Sequence, residues 1–434
     1  MPDHLSSADD QAALYRSIAA GEHRSGGRGT VAFAVSTDDV DAGAGDVYVA
    51  LGLAKYLERL GWGVVLWPIE QWDTHVADDV DVVVSMIESF VPGLLPQHTA
   101  LVAWVRNWTD VWAELPYLDE FDSIWTSSTP ARDRIAERYD GPVQVLPIGV
   151  DLELFTGERA GERAGDRTDS ADIDVVTTVN FWGADRAGIP AIAELAESRD
   201  VVWYGANGDH LHLDERVDHR GKVPFFDLPA VYASARVVVD DVIPPAREYA
   251  THNSRLFEGL ASGALVVTNC AEGLDELGLA GVPTYTDGPS LVAAAATDDP
   301  DLVERLRAVV LERHSYDTRA VTADEDLRRV VQARRDRPGV DRGPFLIWAA
   351  HMRERLRQAE RDRDLHLSGV QDINERLISA VDAAETNAAS AAAAHDRIGE
   401  LTAERDRLAI RLDEVTRSRA YKLVERAARI ARRR

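Results

Sequence analysis

From Thr30 onward the chain repeats one unit: a short apolar run, a loop, and a segment with helical spacing. Thr30 to Ser36 (TVAFAVS) is the first run, and the loop Asp41-Ala42-Gly43-Ala44-Gly45-Asp46 follows it. A helix is expected over Val47 to Leu60, closed by Gly61-Trp62-Gly63. Val64 to Trp67, Val82 to Val84, Leu101 to Trp104 and Ser123 to Thr126 continue the series, which ends on Val143 to Asp151. Strand and helix alternating in this way predict a doubly wound parallel sheet.

A second series starts after a polar stretch, Glu158 to Asp172. It holds strands at Asp174 to Val179, Val201 to Gly205 and Val237 to Val239, helices at Ile189 to Glu197 and Asp227 to Ser234, and the segment His219 to Pro224. With 434 residues and 45% apolar content, two or three domains with sizeable cores are expected. The organisation read from the sequence is a polar leader (1–28), an N-terminal Rossmann-like domain (29–157), a linker (158–172) and a second Rossmann-like domain (173–336). A linker (337–344), a helical coiled coil (345–416) and a basic amphipathic tail (417–434) complete it.

Charge and cysteine usage remove several classes of function. A formal net charge of -26 argues against general nucleic-acid affinity, and the single cysteine, Cys270, excludes an internal disulfide framework. The N-terminus has neither a basic start nor a long apolar core, and no run approaches the length of a membrane span, so a cytoplasmic protein is expected. Asp79-Val80-Asp81 abuts a strand as a turn would, and His210 and His212 stand in a polar loop. Neither pair is expected to hold a metal.

The densest site signal is Asn253 to Asn269 (NSRLFEGLASGALVVTN). Asn253 or Ser254 can cap a short helix, Gly263 lies just beyond its end, and Ala264 to Thr268 is a buried strand. Leu256, Phe257, Leu260 and Ala261 form the apolar stripe, which leaves Arg255 and Glu258 together on the opposite face. A helix start favours anions, so this turn offers an anion site beside a carboxylate.

This block resembles the nucleotide-sugar signature of GT-B glycosyltransferases, especially those of the spore-maturation type, and the likeness spans roughly Thr30 to Val331. It implies two Rossmann-like domains and transfer of a sugar from a nucleoside diphosphate sugar to a cell-surface glycan or lipid-linked acceptor, without a metal or other cofactor. By the same resemblance Glu258 grips the ribose hydroxyls while Ser254 and Arg255 hold the pyrophosphate. Arg186 would join them on the pyrophosphate, and the turn at Lys222 would touch the nucleobase. In the first domain, Gly43 and Gly45 let the backbone approach a ligand. Asp46 is either a helix cap or a base if the enzyme inverts. Arg106 and Asn107 occupy a loop where many relatives present a histidine. Where retaining relatives carry Glu-x7-Glu, this chain has Ala250, with Asn253 or Glu248 near the vacated space, so stereochemistry stays open. A sugar-nucleotide epimerase and a non-catalytic scaffold are the alternative readings.

After residue 344 the chain has no further proline, and Ala394, Ile398, Leu401, Leu408, Leu412 and Val415 set a coiled-coil register with Arg405 in one core position. This register predicts self-association through residues 345–416. The last residues, 417–434, interleave arginines with Tyr421, Leu423, Val424 and Ile430. That stripe suits an anionic membrane face or a solubilising charge run.

Overall fold

The computed structural model describes residues 8–157, 172–180, 188–206, 213–337 and 342–417. It divides into a body up to Glu354 and a helical unit from Arg355. The first domain opens with helix α1 (Ala8–Ala19), then strand β1 (Thr30–Val35), α2 (Gly45–Arg59), β2 (Gly63–Pro68), β3 (Val82–Ser85) and β4 (Ala100–Val105). It continues through α3 (Thr109–Ala113), β5 (Ser123–Thr126), α4 (Thr129–Ala136) and β6 (Val143–Val145). The second domain carries β7 (Ile173–Thr178), α5 (Gly188–Leu195), β8 (Val201–Tyr204), β9 (Asp218–His219), α6 (Leu228–Ala233) and β10 (Ala235–Asp240). Next come α7 (Pro244–Arg247), α8 (Ser254–Ala261), β11 (Leu265–Thr268), α9 (Gly288–Ala295) and α10 (Pro300–Arg313). Two further helices, α11 (Tyr316–Arg335) and α12 (Gly343–Arg417), end the described chain.

Both sheets are parallel throughout, in the orders β2-β1-β3-β4-β5-β6 and β11-β10-β7-β8-β9. The central strands are apolar at nearly every position because helices cover both faces; Val31 to Val35, for example, are fully buried. The strand order reverses between β1 and β3 in one sheet and between β7 and β10 in the other. Crevices open at such points beyond the carboxyl ends of the strands.

Three boundaries differ from the sequence reading. The supposed leader contains α1, whose buried residues Gln11, Ala12, Tyr15 and Ile18 form one helical face. Asp151 anchors it, accepting hydrogen bonds from Tyr15 Oη (2.9 Å) and from the buried Lys55 Nζ (2.7 Å), which also reaches Gln11. The second correction concerns α11, which packs on α2 and β4 of the first domain rather than closing the second. Asp324 accepts from Trp62 Nε1 and Asp326 from Trp125 Nε1, each at 2.8 Å, while Arg334 pairs with Asp122 at 2.5 Å. These acids and this arginine are buried by first-domain partners distant in sequence, so a local reading assigned the helix to the wrong domain.

The third concerns residues 337–344, of which 338–341 lie outside the described residues. Arg342 is buried and donates to the carbonyls of Pro96 and Thr99 at 3.1 and 3.0 Å, so the chain is seated on the first domain here. The first turns of α12 bury Leu346 and Ala350 against the body. Gly93 permits this approach, since a Cβ there would stand 2.2 Å from the Leu346 carbonyl oxygen. From Arg355 onward, α12 continues as a single helix, 75 residues long in all, so the helical reading of 345–416 holds. Its register positions Ile398, Leu401, Leu408 and Leu412 are all exposed. The 158–172 linker (through 171), His210, His212 and the tail from 418 lie outside the described residues.

Candidate active site

The turn before α8 is shaped by a carboxylate at the end of a strand. Asp240 closes β10 with no solvent exposure and is aligned with Thr268 of β11. Its Oδ2 accepts from Thr268 Oγ1 at 3.0 Å, and its Oδ1 accepts from Asn253 Nδ2 at 2.8 Å and from Arg255 Nη1 at 2.6 Å. Arg255 completes its fan on Thr178 at the end of β7, donating from Nε to Oγ1 (3.0 Å) and from Nη2 to the backbone carbonyl. A buried carboxylate needs charged or polar donors, and this one draws them from the start of α8 and from β11.

That demand changes two expectations about α8. Asn253 occupies the cap position by backbone geometry, but its amide turns to Asp240 and the Asp241 carbonyl, and no side chain caps the helix. Nor do Arg255 and Glu258 share an exposed face opposite the apolar stripe, since both are largely buried. The guanidinium is 12% exposed and committed to Asp240 and Thr178, so it organises the anion site from behind instead of presenting a free fork. Gly263 ends the helix region with φ of 84°, as the sequence implied.

Glu258, one turn into α8, is 7% exposed. Burial pushes its carboxyl up to about 7, aided by the charge of Asp240 and opposed by a hydrogen bond with Ser254 and by Arg255. A carboxylate held this way gains from any ligand that brings hydroxyl donors to it.

Across the cleft, Gly43 has φ of 80° and lies under the Lys222 side chain, whose Nζ donates to the Asp41 carbonyl at 2.6 Å. Gly45 starts α2, and Asp46 turns back to Ser36, accepting from its amide at 2.7 Å and its hydroxyl at 2.8 Å. Asp46 therefore closes the loop after β1, and it does not cap α2, whose cap residue is Ala44. Arg106 donates to the Met86 carbonyl at 3.1 Å, while among the described residues its buried Nε has no hydrogen-bond partner, and burial lowers its pKa. Asn107 is half-buried beside Trp108, which is exposed with φ of 53°.

These residues share one cleft of about 580 Å³. Its lining includes Gly43, Gly45, Asp46, Arg106, Asn107, Lys222, Asn253, Ser254, Arg255 and Glu258. Arg186 lies outside the described residues. Tyr48 of the first domain stacks on Phe225 of the second at 3.8 Å between centroids, joining the two domains beside the cleft. Sequence reasoning missed Asp240, whose only signal is an acid ending an apolar strand, and His252, a histidine directly before the helix cap.

Residues 185–325 match the family model described as glycosyl transferase-like. The second domain is a glycosyl transferase-like domain. No curated protein matches the chain. Among solved structures, a sucrose-phosphate synthase from Thermosynechococcus elongatus is similar at 15% identity and a TM-score of 0.52, over 70% of this chain and 99% of that one. A glycosyltransferase involved in avilamycin A biosynthesis gives 19% identity and 0.49 over 70% and 98%. With its two parallel-sheet domains and a cleft between them, the body of the chain has the GT-B fold.

Proposed function

We propose that the chain transfers a hexosyl group from a nucleoside diphosphate sugar to a cell-surface glycan or lipid-linked acceptor. The observation that carries this reading is Glu258, a buried carboxylate one turn into an uncapped helix start, on the wall of a cleft between two Rossmann-like domains. Free amides at the start of α8 and the Ser254 hydroxyl would receive the diphosphate, and Glu258 would accept hydrogen bonds from the ribose hydroxyls. Arg255, held on Asp240, adds positive charge behind the leaving group without touching it. Lys222 would bind beside the nucleobase from the turn it occupies. The first-domain wall, with Gly43, Gly45, Arg106 and Asn107, would take the acceptor. In this reading positive charge from the protein stabilises the departing diphosphate, and no metal is required.

The glycosyltransferase-like family match supports the transferase class. The exposed register on α12 supports assembly through residues 345–416, and the arginine-rich composition of 417–434 supports contact with an anionic membrane from the cytoplasmic side. No described helix is long and apolar enough to cross a membrane. Calorimetry with nucleoside diphosphates and their sugars tests the core of the proposal. Wild-type protein should bind one of them, and Glu258→Ala should weaken that binding about tenfold or more, the loss expected for charge-assisted hydrogen bonds. Equal affinity in both proteins would remove the site.

A further inference from the structure

His252 is 5% exposed, yet it lines the cleft from the turn directly before α8. Its Nε2 lies 2.9 Å from the backbone carbonyl of Glu272. A carbonyl only accepts, so Nε2 carries the hydrogen and Nδ1 holds a lone pair. Among the described residues that Nδ1 has no hydrogen-bond partner. The neighbouring Thr251 Oγ1, on the same wall, has none either. Buried polar atoms are almost always satisfied, so adjacent unpaired ones on a cleft wall mark a place where a polar ligand completes the structure.

The carboxylates that could accept a proton here are mostly engaged. Both oxygens of Asp46 accept from Ser36. Asp151 is bound to Lys55 and two tyrosines. Glu258 belongs to the nucleotide in the reading given above, and Glu248 is exposed and outside the cleft lining. Glu88 remains as a competitor on the first-domain wall. Burial keeps His252 below its ordinary pKa, and the carboxylates of Asp240 and Glu272 act against that. The ring is therefore neutral near pH 7, yet negative charge nearby steadies the imidazolium once formed.

We propose that His252 is the catalytic base of the transfer, taking the proton of the attacking hydroxyl on Nδ1. The hydroxyl oxygen then forms a bond to the anomeric carbon as that carbon's bond to the diphosphate breaks, and the diphosphate leaves with the electron pair. The imidazolium, held by its Nε2–H bond to Glu272, returns its proton to solvent. A single displacement of this kind inverts the anomeric centre. The inference rests on the transferase reading and assigns a role that reading leaves open.

The test uses the full chain and the sugar nucleotide, from a panel of uridine, guanosine, thymidine and adenosine diphosphate sugars, that most raises its melting temperature. Donor turnover is followed with water and with a mixed monosaccharide acceptor panel. His252→Asn keeps a hydrogen-bonding group near Nδ1 but cannot act as a base. It should lower kcat at least 100-fold with the Kd for the nucleoside diphosphate within about twofold of wild type. Added imidazole should restore part of the rate to His252→Ala. Wild-type kcat in His252→Asn, failure of rescue in a His252→Ala protein that still binds the nucleotide, or a larger loss in Glu88→Gln each overturns the assignment. A retained anomeric configuration, or a wild type that binds donor and turns none over, does the same. If no donor on the panel binds wild-type protein, the transferase reading itself falls, and this assignment with it.

Discussion

The two walls of the cleft are built in opposite ways. On the second-domain side, one buried carboxylate, Asp240, collects Asn253, Arg255 and Thr268, so the start of α8 is fixed by side chains from three elements. On the first-domain side the wall is mostly loops and the start of α2: Gly43 in a left-handed conformation, Asp46 folded onto Ser36, an Arg106 whose Nε has no partner among the described residues, and an exposed Trp108 at positive φ. A preorganised wall suits a ligand that is the same in every turnover, and a wall of loops suits one whose shape varies.

The largest effect should come from breaking the hub. Asp240→Ala leaves the Arg255 charge buried without its partner and should cost about 3–5 kcal/mol, read as a fall in the midpoint of urea unfolding. Next in size is Glu258→Gln. Because the folded-state pKa of about 7 lies above the ordinary 4.5, ionisation of Glu258 destabilises the fold as pH rises through that window. The glutamine variant should match wild type below pH 4.5 and exceed it by up to about 3 kcal/mol at pH 8, a gap equal to the shift at about 1.4 kcal/mol per unit. Denaturation at both pH values checks the sign. On the looser wall, Trp108→Asn should raise stability by about 1 kcal/mol, since asparagine tolerates the left-handed region that tryptophan does not. The smallest change is expected from Lys222→Ala, which removes a single bond to the Asp41 carbonyl and should cost under about 1 kcal/mol in a thermal melt. Should the Trp108 and Asp240 variants shift stability equally and in the same direction, the contrast between the walls would vanish.

What the sequence disclosed follows the same division. The central strands of both sheets were legible because a parallel strand buried on both faces is an apolar run, whereas β9, two exposed polar residues at the edge of its sheet, was not. The α8 block was legible because its cap, stripe and glycine stop are all local. Asp240 was not, since its importance comes from the register that aligns β10 with β11 and from its place beside β7, and neither is written near residue 240. For α11, the polar sequence reads as a surface helix until Trp62 and Trp125 supply indole donors to its acids. The face of α1 at Gln11, Ala12, Tyr15 and Ile18 does carry helical spacing, but so few apolar residues in a polar start give a weak pattern.

The path of α11 also says something about synthesis and architecture. The chain leaves the first domain at Val150 and re-enters it at Ser315, where the two are bridged and Val150 exchanges backbone bonds with His314 and Tyr316. The second domain is thus a cassette inserted through adjacent doorways into its host. On the ribosome, the host must wait for the whole cassette to be made before Asp324 and Asp326 can reach Trp62 and Trp125, so the domain that begins first is completed after the one inserted in it.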